Sequence, residues 1–335
     1  MRFRTVLGTA ILLAGLIIGG DVRAETHELR ISQQFGIGYL TLQVARHQGL
    51  FEKQAKALGI PDLKVEFVTL SGGSSTNDAL LSDSIDIATG GVGAFLPAWA
   101  KTRGTIDIRG IAAVSTLPIA LVTTNPNVKS LKDFSDKDRI ALPSVKSSVQ
   151  AALLEIAAEK EFGSGKQEQL DGITVSMKHP DAYAALASGK SEVTAHFGSP
   201  PFQQQELLLP NARKIVDSYQ VMDGPITFNV AWAKASFREK NPKVYAAFIA
   251  ALREANAFIQ SNPVEAAKIH LAEDSGSADE ALVLSIIKDP QAKFTIAPLN
   301  TIKFADFLYR TGAIKAKANT WKDLYFPELQ TEEGS

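Results

Sequence analysis

The chain alternates between short strand-like and helix-like patterns of apolar residues. Apolar residues alternate or run together where strands are predicted, at residues 29–32, 63–68, 85–88 and 139–142. They recur three or four positions apart where helices are predicted, at residues 39–48, 76–81 and 149–161. Repeated β-α-β units of this kind predict an α/β fold with mostly parallel sheets and helices on both faces.

One local pattern occurs twice. Residues 79–88 and residues 185–194 each have the pattern of a helix end, a tight turn and a strand with an acidic residue at its second position. Two ordinary α/β units that share turn chemistry would produce the same pattern. The interpretation we favour is that the chain forms two similarly built lobes.

Two extended stretches could carry the chain between such lobes. They lie at residues 111–124, which include Pro118, and at residues 226–233, which follow Pro225. Crossings of this kind are suitable hinges, because a few residues can absorb the rotation of a lobe. The predicted division places residues 25–115 and 228–335, with their C-terminal helices, in the first lobe and residues 116–227 in the second.

The first 24 residues have the order of a secretory signal peptide. Arg2 and Arg4 precede a mostly apolar run over residues 5–20, and residues 22–24 form a small-x-small cleavage site. A membrane anchor is the alternative, but the run is shorter than the ~20 residues that span a bilayer. No cysteine follows the run, so no lipid can be attached there. We therefore expect residues 1–24 to be removed and the remainder to be exported.

Composition excludes several classes of function. The formal net charge is −1 and no basic stripe is present, which argues against binding to nucleic acid or to a membrane surface. The absence of cysteine removes disulfides, thiol nucleophiles and thiolate metal sites. The five histidines are not paired at metal-ligand spacing.

Two motifs resemble nucleotide-binding loops but lack essential residues. Residues 36–41 approach the dinucleotide fingerprint, yet Thr41 stands where the third glycine is needed for close packing. Residues 163–167 resemble the end of a phosphate-binding loop, but Gln167 replaces the hydroxyl that holds magnesium. We therefore predict no catalytic residue, no metal site and no cofactor, and a binding protein rather than an enzyme.

Polar loops at the carboxyl ends of the predicted strands are the candidate binding site, since ligands of open parallel sheets bind just outside those ends. Two loops run into helix N-termini, whose free N–H groups suit an anion. Serine hydroxyls add donors, although helix capping explains each serine equally well. Lys146 and His196 could add positive charge, and aromatic residues could line the cleft. The candidate residues are Gln33, Gln34, Phe35, Gly38, Tyr39, Ser74, Gly91, Gly93, Ser144, Lys146, Ser147, Ser148, His196, Phe197, Ser199 and Pro201.

Four motifs in this order resemble a known family. They lie at residues 45–53, 79–88, 198–202 and 241–242. The chain resembles the periplasmic substrate-binding proteins of ABC importers for nitrate, taurine and alkanesulfonates, a group related to the pyrimidine-precursor synthases of thiamine biosynthesis.

The resemblance implies a type II periplasmic-binding fold, in which two α/β lobes are joined by two crossing strands and enclose a ligand cleft. It also implies a periplasmic monomer that delivers a small anionic solute, such as a sulfonate, taurine or nitrate, to a membrane permease and its ATPase. Two alternatives remain open: a ligand sensor for a membrane kinase, and an enzyme of the pyrimidine-synthase or desulfinase branches. The lack of cysteine argues against the cysteine-dependent enzyme branches.

Overall fold

Ten strands and thirteen α-helices make up the regular structure of residues 25–273 and 278–335, which the computed structural model describes. The strands are β1 (Glu28–Gln33), β2 (Lys64–Thr69), β3 (Ala88–Gly91), β4 (Ile108–Ser115), β5 (Ala120–Thr123), β6 (Ile140–Leu142), β7 (Thr174–Ser176), β8 (Ala195–Phe197), β9 (Arg213–Asp217) and β10 (Asn229–Lys234). The helices are α1 (Leu40–His47), α2 (Leu50–Ala57), α3 (Gly73–Leu81), α4 (Val92–Thr102), α5 (Val149–Phe162), α6 (His179–Ser188), α7 (Phe202–Glu206), α8 (Ser218–Met222), α9 (Ala235–Lys240), α10 (Pro242–Ser261), α11 (Pro263–Glu273), α12 (Glu280–Ile287) and α13 (Thr301–Arg310). The predicted signal peptide, residues 1–24, lies outside the described residues.

The first lobe is built on five strands in the order β2-β1-β3-β10-β4. β1 and β2 pair in parallel, with Ile31 opposite Phe67. β1 is joined to the start of β3 by a parallel bridge between Ile31 and Ile87. There the backbone N–H of Ser32 donates to the carbonyl of Ile87 at 3.0 Å. β10 runs antiparallel to both β3 and β4.

The second lobe repeats this order with different strands. Its five-stranded sheet has the order β7-β6-β8-β5-β9. β6 is parallel to β7 and β8, and β5 is antiparallel to β8 and β9. The repeated motifs at residues 79–88 and 185–194 lead into β3 and β8, which occupy equivalent positions in the two sheets. The prediction of two α/β lobes is confirmed.

The chain passes between the sheets twice. Residues 116–119 connect β4 to β5, and residues 223–228 lead from α8 back to β10. The second crossing meets the end of β4 where the N–H of Phe228 donates to the carbonyl of Ser115 at 2.8 Å, directly before the first crossing begins. That the crossings act as a hinge remains a prediction.

Two elements differ from their predicted positions. The strand predicted at residues 85–88 forms at Ala88–Gly91, because Gly90, which resembles a turn residue, pairs with Val230 of β10. A side chain at Gly90 would meet the ring of Trp232 at 3.3 Å, so glycine here serves packing within the sheet. The helix predicted to start at residue 76 begins at Gly73, three residues earlier.

The long helix α10 covers one face of the first lobe, where it packs against α1 and α2. Its residue Phe248 is fully buried and stacks on Phe51 of α2, with ring centroids 5.5 Å apart. α13 contacts both α4 of the first lobe and α5 of the second. The assignment of residues 228–335 to the first lobe therefore remains a prediction. Within residues 25–273 and 278–335, no helix combines the length and the apolar character needed to cross a membrane.

Phe248→Ala should destabilise the first lobe by about 3–5 kcal/mol, because it removes a buried ring and leaves a cavity beside Phe51. Urea unfolding followed by circular dichroism measures the change. Leu208→Ala, at a side chain that is 80% exposed, is the control and should change the free energy of unfolding by less than about 0.5 kcal/mol. Equal effects of the two substitutions would contradict this packing.

Candidate functional site

A narrow cavity lies between the lobes, where loops from the two sheets face each other. It encloses about 20 Å³, little more than the space of one water molecule. The first lobe and its crossing to β10 contribute Gln34, Phe35, Tyr39, Gly73, Gly91, Ala94, Phe228 and Asn229. The second lobe contributes Pro143, Ser147, Ser148, Val149, Gln150 and His179. The lobes are thus closed on each other, and the cavity between them has no room for a larger molecule.

Helix N-termini from both lobes point at this cavity. α3 begins at Gly73, α4 begins directly after Gly91, and α5 begins directly after Ser148. The hydroxyl of Ser148 accepts from the N–H of Ala151 at 3.1 Å, which caps α5. The residues lining the cavity include no aspartate, glutamate, lysine or arginine. The positive ends of three helix dipoles therefore set the electrostatics of the cavity, which favours an anion.

Backbone meets backbone where the lobes touch, and glycine makes this possible. A Cβ on Gly93 would overlap the carbonyl oxygen of Ser148 and would lie 2.6 Å from its carbonyl carbon. A Cβ on Gly73 would lie 2.6 Å from the carbonyl oxygen of Ser147. Beside them, the hydroxyls of Ser74 and Ser147 hydrogen-bond across the cleft at 2.8 Å. Closure to this distance requires glycine at these positions.

Two polar side chains of the second lobe form one wall of the cavity. His179, the first residue of α6, is buried, and its Nε2 lies 3.3 Å from Nε2 of Gln150 on α5. Burial lowers the pKa of His179 well below its usual value, and the neighbouring His196 lowers it further. The imidazole is therefore neutral at physiological pH, and His179 is the one lining histidine among the described residues.

The structure distributes the sequence-derived candidates over three environments. The residues that line the cavity are Gln34, Phe35, Tyr39, Gly91, Ser147 and Ser148. The residues at the contact between the lobes around it are Ser74, Gly93, Ser144 and Ser199. The residues placed outside the cavity wall are Gln33, Gly38, Lys146, His196, Phe197 and Pro201.

Neither of the two candidate cations lines the cavity. Nζ of Lys146 lies 3.2 Å from Asp171 and 3.5 Å from Glu168, beside a separate cavity of about 420 Å³. Asp171 and then Glu168 raise the pKa of Lys146, so its charge is already matched. His196 is fully buried behind His179, and burial lowers its pKa to about 3. Phe197, the next residue, is also fully buried, as part of the core.

Four lining residues have weak sequence signals or none. Gln150 and His179 lie in the first turn of their helices, and Pro180 after His179 is a recognised helix-start signal. Phe228 and Asn229 lie at the end of the second crossing and the start of β10. Nδ2 of Asn229 donates to the carbonyl of Gly38 at 3.2 Å, a contact between residues far apart in the chain. No local pattern predicts it. Among the described residues, no cluster of metal-ligating side chains is present.

Comparison with known proteins agrees with this architecture. The model of the NMT1-like family matches residues 23–272. No curated protein matches the sequence at a significant level.

Three solved structures show the similarity in fold. The alkanesulfonate-binding protein of Xanthomonas axonopodis bound to MOPS covers 87% of this chain and 95% of its own, with 19% identity and a TM-score of 0.67. The periplasmic aliphatic sulphonate binding protein of Escherichia coli covers 90% and 92%, with 22% identity and a TM-score of 0.64. The periplasmic nitrate-binding protein of Synechocystis covers 89% and 84%, with 16% identity and a TM-score of 0.69. The predicted periplasmic-binding fold and the resemblance carried by the four motifs are confirmed.

Gly93→Ala should keep the lobes apart, because the new methyl group occupies the space of the Ser148 carbonyl. Helix α4 itself should form as well as before, since alanine is the better helix former by about 1 kcal/mol. The distance between spin labels on Lys56→Cys and Lys190→Cys, both exposed sites in a chain without cysteine, measures the closure. The expected result is a shift of the distance distribution to longer values.

Gly172→Ala is the matched control, because a Cβ at Gly172 meets nothing within 4 Å. Its label distances should equal those of the labelled parent protein. An unchanged distribution in Gly93→Ala would show that the contact between Gly93 and Ser148 does not limit closure.

Proposed function

Since the chain belongs to the NMT1-like family, we propose that it is the solute-binding component of an importer and closes its two lobes around a small anion. The observation that supports this most directly is the convergence of three helix N-termini, α3, α4 and α5, on one interlobe cavity. The lining residues bring no carboxylate to oppose an anion there. Backbone N–H groups at helix N-termini bind anions without a fixed cationic side chain.

The chemistry of the donors favours a small oxyanion. Sulfonate and nitrate groups carry one negative charge spread over several oxygens, and each oxygen can accept an N–H or O–H donor. Ser147 supplies a hydroxyl beside the start of α5, and Gln150 and Asn229 supply amides, whereas the hydroxyl of Ser148 already donates to the carbonyl of Ser144 at 2.7 Å. Solved structures with the same fold include an alkanesulfonate-binding protein and a nitrate-binding protein. We propose a sulfonate, taurine or nitrate as the solute.

Capture by closure would couple binding to delivery. The solute enters while the lobes are apart, and the lobes then close on either side of it near Gly73, Gly93 and Ser74, less tightly than in the empty form. The closed form would be recognised by an ABC permease in the inner membrane, with its ATPase. In this proposal residues 1–24 direct the chain to the periplasm, where it acts as a monomer. An apparent dissociation constant of about 1 µM corresponds to roughly −8 kcal/mol, which a few charge-assisted hydrogen bonds can provide.

Adding the correct anion should raise the melting temperature in a saturable way, because a ligand that binds the folded state alone stabilises it by mass action. At about 100 times the dissociation constant the gain is roughly 2.7 kcal/mol, or several degrees. A thermal-shift titration with nitrate, methanesulfonate and taurine, in a buffer free of sulfonates, measures it. The assignment is wrong if none of the three anions changes the melting temperature.

Ser147→Asp should weaken anion binding more than about tenfold, since it places a carboxylate at the cavity. The same carboxylate lies near the N-terminus of α5, so the melting temperature without ligand should stay the same or rise. Ser188→Asp, at an exposed position near the end of α6, is the matched control and should bind like the parent protein. Equal affinity of the two variants for the anion would show that the anion does not bind in this cavity.

A further inference from the structure

Three buried titratable side chains form a line that leads from the cavity into the second lobe. Nδ1 of His179 lies 2.8 Å from Nε2 of His196. Nδ1 of His196 lies 2.5 Å from Oε1 of Glu206 on α7. His196 and Glu206 are 0% exposed and His179 is 6% exposed. The line therefore connects the cavity wall to an acid that has no contact with solvent.

The acid at the far end is held in its neutral form. Oε2 of Glu206 has no hydrogen-bond partner among the described residues, and within the same part of the chain its one ion-pair partner is His196. Burial raises the pKa of Glu206 well above its usual value, and burial lowers the pKa of His196 to about 3. Both shifts place the proton on Glu206 and leave the imidazole of His196 neutral.

His179 is the group that faces a ligand. It lines the cavity, whereas His196 and Glu206 do not, and it stacks on Phe202 with ring centroids 5.9 Å apart. Gln150 can turn either end of its amide to Nε2 of His179, so it can accommodate a protonated or an unprotonated nitrogen. Among the residues that line the cavity, His179 alone has a side chain that can take up a proton to become a cation.

We propose that His179 becomes the cation of the site when an anion enters, and that its proton comes from Glu206 through His196. This rests on the function proposed above. Glu206 gives its proton to Nδ1 of His196, while Nε2–H of His196 gives its proton to Nδ1 of His179. His179 then carries N–H at both ring nitrogens, His196 has exchanged one neutral tautomer for the other, and Glu206 is a carboxylate. No proton enters or leaves the protein.

The other titratable groups near His179 are neutral or exposed, so the proposed proton transfer involves only His179, His196 and Glu206. On the elements packed against His179, the titratable group in contact with it is His196 on β8, and Glu206 on α7 contacts His196 in turn. Tyr39 also lines the cavity, and burial raises its pKa, so its phenol stays neutral. On its own helix and the residue before it, Asp181 and Lys178 are exposed.

The titration of one other carboxyl group of the second lobe has to be distinguished from that of Glu206. Burial, followed by the charge of Asp171, raises the pKa of Glu155 to about 7. Glu155 lines the separate cavity beside Lys146, and it titrates in the range where anion binding would be measured. The variant Glu155→Gln therefore serves as the matched control for Glu206→Gln.

The test measures proton uptake on anion binding. The probe is whichever of nitrate, methanesulfonate and taurine gives a saturable thermal shift. Calorimetric titrations in Tris and in triethanolamine at the same pH give the number of protons taken up, and titrations from about pH 6 to about pH 8 give the affinity. The full-length mature protein should take up no proton, and its affinity should be nearly constant. Glu155→Gln should behave in the same way.

Removing the internal proton donor should change both readouts. In Glu206→Gln, His179 must take its proton from water, so we expect uptake of about one proton per anion and an affinity that falls about tenfold per pH unit. His179→Gln should bind at least about tenfold more weakly, since a charge-assisted hydrogen bond is lost, and should show no proton uptake in either background. Circular dichroism and the melting temperature without ligand establish that each variant is folded.

Three results would overturn the inference. The first is a proton uptake in the parent protein equal to that of Glu206→Gln. The second is an unchanged affinity without proton uptake in Glu206→Gln, and the third is an unchanged affinity in His179→Gln. If none of the anions binds the parent protein, the proposed function itself fails and the inference fails with it.

Discussion

The close approach of backbone to backbone across the cleft determines the size of the cavity and which helix N-termini meet there. Gly93 lies against the carbonyl of Ser148, and a Cβ at Gly36 would lie 2.7 Å from the carbonyl oxygen of Pro200. Any side chain at these positions would separate the lobes by part of an ångström or more, and the N-termini of α4 and α5 would then no longer share one small cavity. Glycine is therefore required here because its missing side chain allows the two backbones to come this close.

The cavity that results has polarity without a permanent side-chain charge. A lysine or arginine facing it would be a buried and unpaired cation whenever no anion was present, at a cost of several kcal/mol. Helix N-termini carry no such penalty, because their partial charges belong to the backbone. Lys146 lies close by, yet it is turned outward to Asp171 and Glu168. A neutral imidazole at His179 fits the same requirement, since it is uncharged in the empty site and can still be protonated.

Local patterns were sufficient for the architecture and insufficient for the site. The periodicity of apolar residues predicted β1, β2, β6 and α5 within one or two residues, because these elements depend on neighbours in sequence. β3 was misplaced because Gly90 resembles a turn residue until Trp232 of β10 is placed against it. The loops at strand ends led to Gln34 and Ser148 but not to Asn229. Asn229 reaches the cavity because its side chain binds the carbonyl of Gly38, which lies nearly two hundred residues earlier in the chain. The role of Lys146 could not be predicted either, because it depends on ion pairs with Asp171 and Glu168, which lie more than twenty positions away in the chain.

The two crossings and the C-terminal helix together limit how the lobes can move. The hydrogen bond between Phe228 and Ser115 holds the second crossing beside the start of the first, so the two crossings lie next to each other. On the second lobe, Arg310 at the end of α13 pairs with Glu159 of α5, with Nη1 2.8 Å from Oε1. Because the arginine is more than half exposed, this ion pair contributes little to stability and can break at low cost. Under the predicted division, in which α13 belongs to the first lobe, a rotation about residues 116–119 and 223–228 would break this pair and the hydrogen bond from Nζ of Lys303 to the carbonyl of Met222, while both sheets stay intact. Closure then depends on the small set of backbone contacts at Gly93 and Gly73, which a bound anion would reinforce from both lobes.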